Sequence, residues 1–422
     1  MARRTEAPVR ETAGLTSDPQ ADGGSGVELS VVMPCLNEAA TIGVCVRKAK
    51  ASLKRLGIRG EIVVADNGST DGSIEIAKSL GARVVRVELR GYGEALLAGF
   101  DAARGRYILM GDSDDSYDFS EIDGFIDRLR AGDELVMGTR LRGRILPGAM
   151  PWKNRYIGNP LLTWMLRRIY KSPVSDAHCG MRAVTKSAYK RMSMRSPGME
   201  FASEMVVKAA KLGLLTSEVP ITFHRDGRGR APHLRPFRDG WRHVKLLLIY
   251  SPTALFLVPG GVLVLSGISL MVTQLFAPVD QPSSFLGFRL DFHWAILGSF
   301  LTLVGYQLIL IHFFARVYSV THRLREPDRM LGWALRVFTL NRVLILASLM
   351  VVIGLVLDVI VVWGWLRTDF GPLVSGHTRL FILGSTLLAL GLQTTFSAFF
   401  FSILGDAFRR RPDEVRAQWD AH

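Results

Sequence analysis

Four aspartates crowd into seven residues directly after an apolar run. The aspartates are Asp112, Asp114, Asp115 and Asp118, and the run is Tyr107–Met110. A buried strand that ends in clustered carboxylates suits a divalent cation, because such hard ions take oxygen ligands. Ligands of open α/β sheets bind beyond the carboxyl ends of the strands. An acidic surface turn without chemistry is the competing interpretation, so the rest of the chain has to decide between the two.

The elements that must position these carboxylates begin at Val27. Strand-like apolar runs cover residues 29–33, 61–65, 83–87 and 107–110. Helical stretches cover residues 39–56 and 94–103. A further predicted helix ends at residue 80, and residues 69–71 can cap its start. Strands that alternate with helices at this spacing predict a mostly parallel sheet with crossover helices. Two strands end in an aspartate, Asp66 and Asp112, and this coincidence favours a site on one edge of the sheet.

The composition divides the 422 residues into a mixed part and an apolar part. Hydrophobic residues make up 48% of the chain, and almost all the long apolar runs follow Ser251. The net charge of +14 is compatible with nucleic acid, but beside membrane spans it favours anionic lipid or phosphate. Three cysteines at uninformative spacings predict neither a disulfide framework nor a zinc site, and they favour reduced thiols in a cytoplasmic domain.

Four apolar segments are long enough to cross a membrane. They cover residues 253–276, 294–314, 343–365 and 380–404. Asp358 is an isolated charge within the third segment. Because such a charge is costly in lipid, we expect it to face protein or a cavity.

Positive charge near the ends of the spans predicts their orientation. The connection between the second and third spans is rich in arginine, and Arg409, Arg410 and Arg411 follow the last span. Basic connections lie on the cytoplasmic side of a membrane. An even number of spans then places the catalytic domain and both termini in the cytoplasm.

Short motifs along residues 28–230 resemble a known family of enzymes. They are VMPCLNE (32–38), VADNGSTDG (64–72), GF (99–100) with ARG (103–105), GDSD (111–114), GTR (138–140), DAHCGMR (176–182) and EVPI (218–221). The earlier motifs look like the nucleotide-sugar glycosyltransferases of family 2, which have the GT-A fold. The last three resemble the polyprenyl-phosphate (dolichol-phosphate-type) hexose synthases in particular.

This resemblance implies a set of residues that bind the nucleotide-sugar donor. The set comprises Pro34, Leu36, Asn37, Glu38, Asp66, Asn67 and Asp112. Asp66 resembles the family aspartate that accepts hydrogen bonds from the base or the ribose, a role that suits a carboxylate at the end of a strand. Asn37 and Glu38 can equally cap the helix that follows them.

Asp112 and Asp114 match the DxD motif of the family. Alternate residues of a strand-like stretch point to the same side, so both carboxylates can converge on Mg²⁺ or Mn²⁺. The metal would screen the charge that grows on the departing nucleoside diphosphate. Family members often supply a further ligand two residues after the second aspartate. That position is Ser116 here, preceded by Asp115, and the third ligand is left open between them.

The acceptor side is expected to be basic. A phosphomonoester has its second pKa near 6, so it is already nucleophilic at neutral pH and needs positive charge to position it. Arg140 and Arg155 match the family arginines that grip the lipid phosphate, and with the two DxD aspartates they form the predicted catalytic set. Surface arginines beside a membrane are the alternative interpretation.

The resemblance assigns further residues to the acceptor phosphate or to a closing loop. They are Asp176, Arg182, Glu204, Arg225, Arg228 and Arg230. Asp176 and Arg182 flank a turn that lines the family's active site, and an ion pair that only holds this turn is the alternative. Glu204 lies on a predicted helix, 199–212, where it contacts the donor sugar or a helix partner. The three arginines lie in a loop that resembles the family loop closing over the donor.

The sequence therefore predicts an α/β protein with a GT-A (Rossmann-like), mostly parallel sheet and flanking helices, followed by an all-α transmembrane domain of four helices. The expected divisions are a disordered tail (1–26), the GT-A domain (27–233), an amphipathic juxtamembrane helix (234–250), the membrane domain (251–404) and a cytoplasmic tail (405–422). The chain is identified as a membrane-bound inverting hexosyltransferase.

Its expected partners are UDP- or GDP-hexose, polyprenyl (undecaprenyl or dolichyl) phosphate and the membrane, without nucleic acid, and a homo-oligomer is left open. Two alternatives compete with this hypothesis. A processive polysaccharide synthase has the same fold, but the Gln-x-x-Arg-Trp motif typical of that class does not occur in this sequence. The other is a transporter or scaffold that only senses nucleotide sugar.

Overall fold

A computed structural model describes residues 26–227, 236–276, 283–285, 288–290, 292–321, 337–371 and 375–409. Two compact units divide the chain, Met1–Leu247 and Leu248–His422. Several expectations lie outside the described residues: the tail before Gly26, the loop arginines Arg228 and Arg230, the arginine-rich connection 322–336 and the tail from 410 onward.

The first unit is built on a seven-stranded sheet with the strand order β3-β2-β1-β4-β6-β5-β7. Its strands are β1 Leu29–Cys35, β2 Gly60–Asp66, β3 Arg83–Arg86, β4 Tyr107–Met110, β5 Leu135–Ile145, β6 Arg182–Thr185 and β7 Thr216–Phe223. Every residue of β1 and β4 is buried. Such continuous burial is typical of central strands that are covered by helices on both faces.

The sheet is mostly parallel, as the sequence predicts. β1 pairs in parallel with β2 and β4, β2 pairs in parallel with β3, and β5 pairs in parallel with β7. Only β6 runs antiparallel, between β4 and β5. In this register Cys35 lies beside Asp66 and Val32 beside Met110, so β1, β2 and β4 end at the same edge of the sheet.

Eight helices of the described chain accompany this sheet, most of them at the positions that the apolar spacing predicts. They are α1 Ile42–Arg55, α2 Ser73–Ser79, α3 Tyr92–Ala102, α4 Asp123–Arg130, α5 Asn159–Tyr170, α6 Lys186–Met192, α7 Phe201–Lys211 and α8 Pro236–Ile249. The basic helix expected before the membrane is present as α8. It buries His243, Leu246 and Leu247 and exposes Trp241.

The second unit contains the four expected apolar helices. They are α9 Val258–Leu275, which a π-helical turn Thr253–Leu257 precedes, α10 Phe292–Thr321, α11 Leu340–Leu366 and α12 Ser375–Arg409. All four are long and apolar enough to cross a membrane. The predicted fold class is therefore confirmed, an α/β sheet domain followed by a membrane domain of four helices.

Small residues and hydroxyl groups join the membrane helices. Cβ atoms added to Gly260 and Gly298 would lie 2.8 Å from backbone oxygens of the neighbouring helix, so glycine permits the close packing of α9 on α10. Asp358 on α11 accepts a hydrogen bond from the Ser385 hydroxyl on α12 at 3.1 Å. The isolated charge thus faces a protein partner, as its cost in lipid predicts.

Candidate active site

Asp66 and Asn67 end β2 at the edge of the sheet where β1 and β4 also end. Asp66 is 2% exposed, and its carboxylate accepts hydrogen bonds from the backbone N–H groups of Gly68 and Ser69 at 3.1–3.2 Å. The side chain of Asn67 accepts from Gly91 N and donates to Leu89 O, each at 2.7 Å. Asn67 therefore ties the end of β2 to the loop that leads into α3.

The loop after β1 is joined to the loop after β2. Asn37 has a left-handed backbone with φ +57°, and its side-chain oxygen accepts a hydrogen bond from Thr70 N at 2.8 Å. Glu38 is 5% exposed, and its backbone N–H donates to the Ser73 hydroxyl. α1 begins after Thr41 without a side-chain cap, but the Glu38 carbonyl oxygen accepts from the backbone N–H groups of Thr41 and Ile42 at 3.0 and 2.8 Å. Asn37 thus connects the two loops, and Glu38 contacts both Ser73 and the start of α1.

The same loop is also tied to the aspartate cluster. The Ser113 hydroxyl, between the two DxD aspartates, donates to the carbonyl oxygen of Pro34 at 2.6 Å. Leu36, the remaining residue of the predicted donor set, is half-buried in this loop. The carboxyl ends of β1, β2 and β4 thus form one edge that holds the predicted donor residues and the DxD motif.

The first DxD aspartate is held by a tyrosine that the sequence analysis did not single out. The Tyr92 hydroxyl donates to Asp112 Oδ1 at 2.8 Å. Burial, followed by the charge of Asp112, raises the pKa of Tyr92 well above its ordinary value, so its proton stays available to donate. A Cβ added to Gly180 would lie 2.9 Å from Asp112 Oδ2. Asp112 is therefore enclosed by α3 on one side and the DAHCGMR turn on the other.

The second aspartate is bonded within its own turn. Asp114 is 7% exposed, and its Oδ1 accepts from the backbone N–H of Ser116 at 3.0 Å and from the Ser116 hydroxyl at 2.5 Å. Asp115 has φ +60° and forms an ion pair with Lys48 at 2.9 Å. Both of the residues left open as a third metal ligand thus have partners in the protein.

Asp112 and Asp114 suit a hard divalent cation because they supply carboxylate oxygens from alternate positions after one strand. In the described part of the chain, no three His, Cys, Asp or Glu side chains cluster closely enough to hold a metal ion by themselves.

Arg140 and Asp176 form a buried ion pair. Arg140 Nε and Nη2 donate to the two Asp176 oxygens at 2.8 Å, and the backbone N–H of Arg140 donates to Oδ2 at 3.0 Å. The side chains are 8% and 0% exposed. Burial alone would raise the pKa of Asp176, but the charge and hydrogen bonds of Arg140 outweigh it and lower the pKa. Nη1 is the guanidinium nitrogen without a partner among the described residues.

Asp176 thus pairs with Arg140 and not with Arg182, which corrects the alternative considered from the sequence. Arg182 is 1% exposed and donates to the carbonyl oxygens of Ala177, Cys179 and Ala202. These bonds hold the DAHCGMR turn from inside. The position of Arg182 supports the turn and does not present its guanidinium to an acceptor.

Glu204 is also committed to protein contacts. It is fully buried, and its carboxylate accepts from the backbone N–H groups of Arg195 and Ser196 and from Lys208 Nζ at 2.7–3.1 Å. Burial raises its pKa, but the Lys208 ammonium and the two backbone donors outweigh burial and lower the pKa. Of its two expected roles, the structure shows the contact with helix and turn partners.

Arg155 lies on an exposed, aromatic surface. It belongs to a π-helical turn, Asn154–Gly158, directly before α5, and its guanidinium lies 5.4 Å from the centre of the Tyr156 ring. Tyr156 is 66% exposed, and Trp152 and Trp164 are 62% and 61% exposed. Arg225 is exposed in the chain after β7. Of the two predicted acceptor arginines, Arg140 thus forms a buried ion pair and Arg155 is exposed on the surface.

Sequence reasoning did not identify Tyr92, and it noted Gly180 only as the turn between Asp176 and Arg182. The available signal was the Gly91-Tyr92-Gly93 triplet directly before a helix, and Gly180 within the DAHCGMR motif. The backbone N–H of Gly180 donates to the Tyr117 hydroxyl at 2.7 Å, which fixes the turn over Asp112. Neither contact follows from spacing, because both join segments that are distant in sequence.

Comparisons with known proteins identify the family of the chain. The family model for glycosyl transferase family 2 matches residues 30–193, and a model for the family 2 C-terminal transmembrane region matches residues 313–405. The low-salt glycan biosynthesis hexosyltransferase Agl6 of Haloferax volcanii is 39% identical over 92% of this chain and 91% of its own. A dolichyl-phosphate hexose transferase of the same organism is 32% identical over 50% of this chain and 89% of its own.

Among solved structures, the glucosyl-3-phosphoglycerate synthase of Mycobacterium tuberculosis is 25% identical, with a TM-score of 0.43 over 54% of this chain and 80% of its own. The match to Agl6 over nine-tenths of both chains and the two family models define the class. This chain belongs to glycosyltransferase family 2. It is an integral membrane hexosyltransferase-type enzyme with a C-terminal transmembrane region.

Proposed function

We propose that this enzyme transfers a hexose from a nucleotide sugar to polyprenyl phosphate with inversion at the anomeric carbon. An oxygen of the acceptor phosphate forms the new bond to that carbon. The bond from the same carbon to the donor diphosphate breaks, and a nucleoside diphosphate leaves. The products are polyprenyl-phospho-hexose and UDP or GDP.

The donor would bind along the shared edge of β1, β2 and β4. Asp66 and Asn67 lie where the base and ribose would bind, and the loop 34–38 borders the same space. Asp112 and Asp114 would hold Mg²⁺ or Mn²⁺, which supplies Lewis-acid stabilisation of the leaving diphosphate when bound. The hydrogen bonds that fix these side chains support the proposal, because a donor site needs ligands that are already in place.

A phosphate acceptor removes the need for a general base. Its dianion is nucleophilic at neutral pH, so the protein has to position it and balance its charge. The Nη1 group of Arg140 can donate to the acceptor while Asp176 holds the rest of the guanidinium. In this proposal Arg155 donates to the same phosphate from the exposed turn before α5, and Arg225 adds positive charge.

The main support for a lipid acceptor is the charge and the exposed aromatic residues of the segment 141–175. This segment contains seven Lys and Arg residues and no Asp or Glu. It exposes Trp152, Tyr156 and Trp164 beside Arg155. Aromatic rings with a basic surround are typical of protein surfaces at a membrane interface, where the anionic head groups lie. The likeness to a dolichyl-phosphate hexose transferase supports the same acceptor.

We place the catalytic unit and both termini on the cytoplasmic side. The four candidate spans among the described residues would return the chain to the side on which it started. Arg316 and Arg342 lie near the ends of α10 and α11 that the arginine-rich connection joins. Nucleotide sugars are made in the cytoplasm, so this orientation matches the proposed donor.

Purified full-length protein with polyprenyl phosphate and a panel of UDP- and GDP-hexoses tests the proposal. We expect one donor to give a lipid-linked monosaccharide with Mg²⁺ or Mn²⁺. Polyprenyl alcohol is the matched control, and it should give no product because it lacks the phosphate nucleophile. Absence of lipid-linked sugar with every donor and both metals would refute the proposal. A product that grows in length would identify a processive synthase instead.

A further inference from the structure

The carboxylate of Asp112 is held from two sides by residues outside the DxD motif. On one side the Tyr92 hydroxyl donates to Oδ1 at 2.8 Å. On the other side Gly180 approaches so closely that a Cβ there would lie 2.9 Å from Oδ2. A hydrogen bond to an ionised carboxylate is shorter and stronger than one between neutral groups. The rotation of this side chain is therefore restricted by its surroundings.

Tyr92 is itself locked in place at the start of α3. Cβ atoms added to its neighbours Gly91 and Gly93 would lie 2.3 Å from Pro197 O and 2.0 Å from Ser196 O. The backbone N–H of Glu94 donates to Pro197 O at 3.2 Å. Only glycine lets the backbone of residues 91–93 come so close to that of residues 196–197. This contact fixes the backbone of Tyr92, which lies between the two glycines. The position of the phenol is thus set by the chain segment 196–197.

The opposite side of Asp112 is equally fixed. Gly180 N donates to the Tyr117 hydroxyl at 2.7 Å, and a Cβ on Gly180 would also meet the Tyr117 ring at 2.9 Å. Arg182 binds three carbonyl oxygens in and near the same turn. The turn cannot move away from Asp112 without breaking these bonds.

We propose that Tyr92 is a positioning residue for the cation site, which holds Asp112 in the orientation in which its carboxylate serves as a ligand. The inference rests on the proposed cation site at Asp112 and Asp114. Its physical basis is that a partner of a metal-ligating carboxylate orients the ligand before the metal arrives. Loss of the hydroxyl would let the Asp112 carboxylate rotate. Metal binding would then have to restrict this rotation, which lowers the affinity for the metal.

Binding of Mn²⁺ to the full-length protein, measured by electron paramagnetic resonance with UDP and then with GDP present, tests this role. We expect Tyr92→Phe to weaken Mn²⁺ affinity about 10- to 100-fold, the range typical of residues that orient a metal ligand. Saturating Mn²⁺ should restore most of the turnover, because the variant retains both aspartates. The denaturant midpoint of Tyr92→Phe without metal, compared with that of the parent, separates this loss of affinity from a folding defect.

Tyr189→Phe is the matched control. The Tyr189 hydroxyl on α6 donates to Asp101 Oδ1 at the same distance, 2.8 Å. Asp101 lies at the end of α3 opposite to Tyr92. This variant should bind Mn²⁺ as the parent does. Equal loss in both variants, or Mn²⁺ affinity of Tyr92→Phe within about twofold of the parent, would overturn the positioning role. Failure of the parent itself to bind Mn²⁺ with either nucleotide would refute the cation site, and the positioning role with it.

Discussion

The proposed donor edge, formed by the ends of β1, β2 and β4, and the proposed acceptor segment, residues 141–175, are built in opposite ways. At the donor edge Asp66, Asn67 and Asp114 are at most 7% exposed, and hydrogen bonds to neighbouring loops fix them. On the segment 141–175 Arg155 and the aromatic rings beside it are exposed. A cation and a diphosphate require ligands that are ordered in advance. A lipid head group is met at a surface, where long, solvated side chains can adapt to it.

The largest expected effect is at the fixed edge. Asp112→Asn should lower turnover about 10³-fold, because a bound metal supplies several kcal/mol of charge stabilisation in the transition state. Asp115→Asn should lower it less than about threefold, because Asp115 pairs with Lys48 at a partly exposed site. Rates with the best donor of the panel check both values. A loss of equal size in both variants would make Asp115 a ligand and contradict this division of the acidic cluster.

The Arg140–Asp176 pair links the two ends of the segment 141–175, and we expect its loss to reduce stability. Asp176→Asn leaves the buried Arg140 guanidinium without a counter-charge, a change that costs about 3–5 kcal/mol. The double variant Arg140→Met with Asp176→Asn should recover part of this loss, because no buried charge is left. Denaturant midpoints of the parent and the variants measure the differences. Additive losses in the double variant would show that the two side chains act independently.

The same pair predicts a dependence on pH. The folded state lowers the pKa of Asp176, so its contribution is fully present above the unfolded value of about 3.9 and is lost as the pH falls through the folded value. The stability difference between the parent and Asp176→Asn should therefore be constant from about pH 5 to pH 8 and shrink in stronger acid. If the stability difference between the parent and Asp176→Asn already shrinks near pH 6, a group other than Asp176 causes the pH dependence.

The smallest expected effect is on the exposed segment. Arg155→Glu should raise the KM for polyprenyl phosphate about tenfold, which corresponds to about 1.4 kcal/mol, and leave the KM for the donor unchanged. Arg128→Glu is the control, because Arg128 is exposed on α4 and has the same charge reversal. If both variants raise the acceptor KM equally, the effect is one of net charge and not of the segment 141–175.

The sequence was informative where a short motif carries its own chemistry. Asp66 and Asp112 follow apolar runs that the sequence predicts as strands of one sheet, and the register of β1 with β2 and β4 brings their ends to one edge. The four membrane helices followed from length and hydrophobicity alone. The spacing did not identify which arginine pairs with Asp176. Arg182 is only six residues away in the same motif, whereas Arg140 is 36 residues away on β5 and reaches Asp176 only in the folded chain.

The sequence by itself determined the order of the elements, the acidic edge of the sheet and the membrane spans, because apolar periodicity and motif spacing are local properties. Only the tertiary structure decided the partners of the acidic side chains. Tyr92 meets Asp112 because two glycines allow α3 to begin against the segment 196–197, and Lys48 removes Asp115 from the cluster across 67 residues of chain. Such contacts depend on how segments that are distant in sequence pack against each other, and a local pattern of residues does not specify this packing.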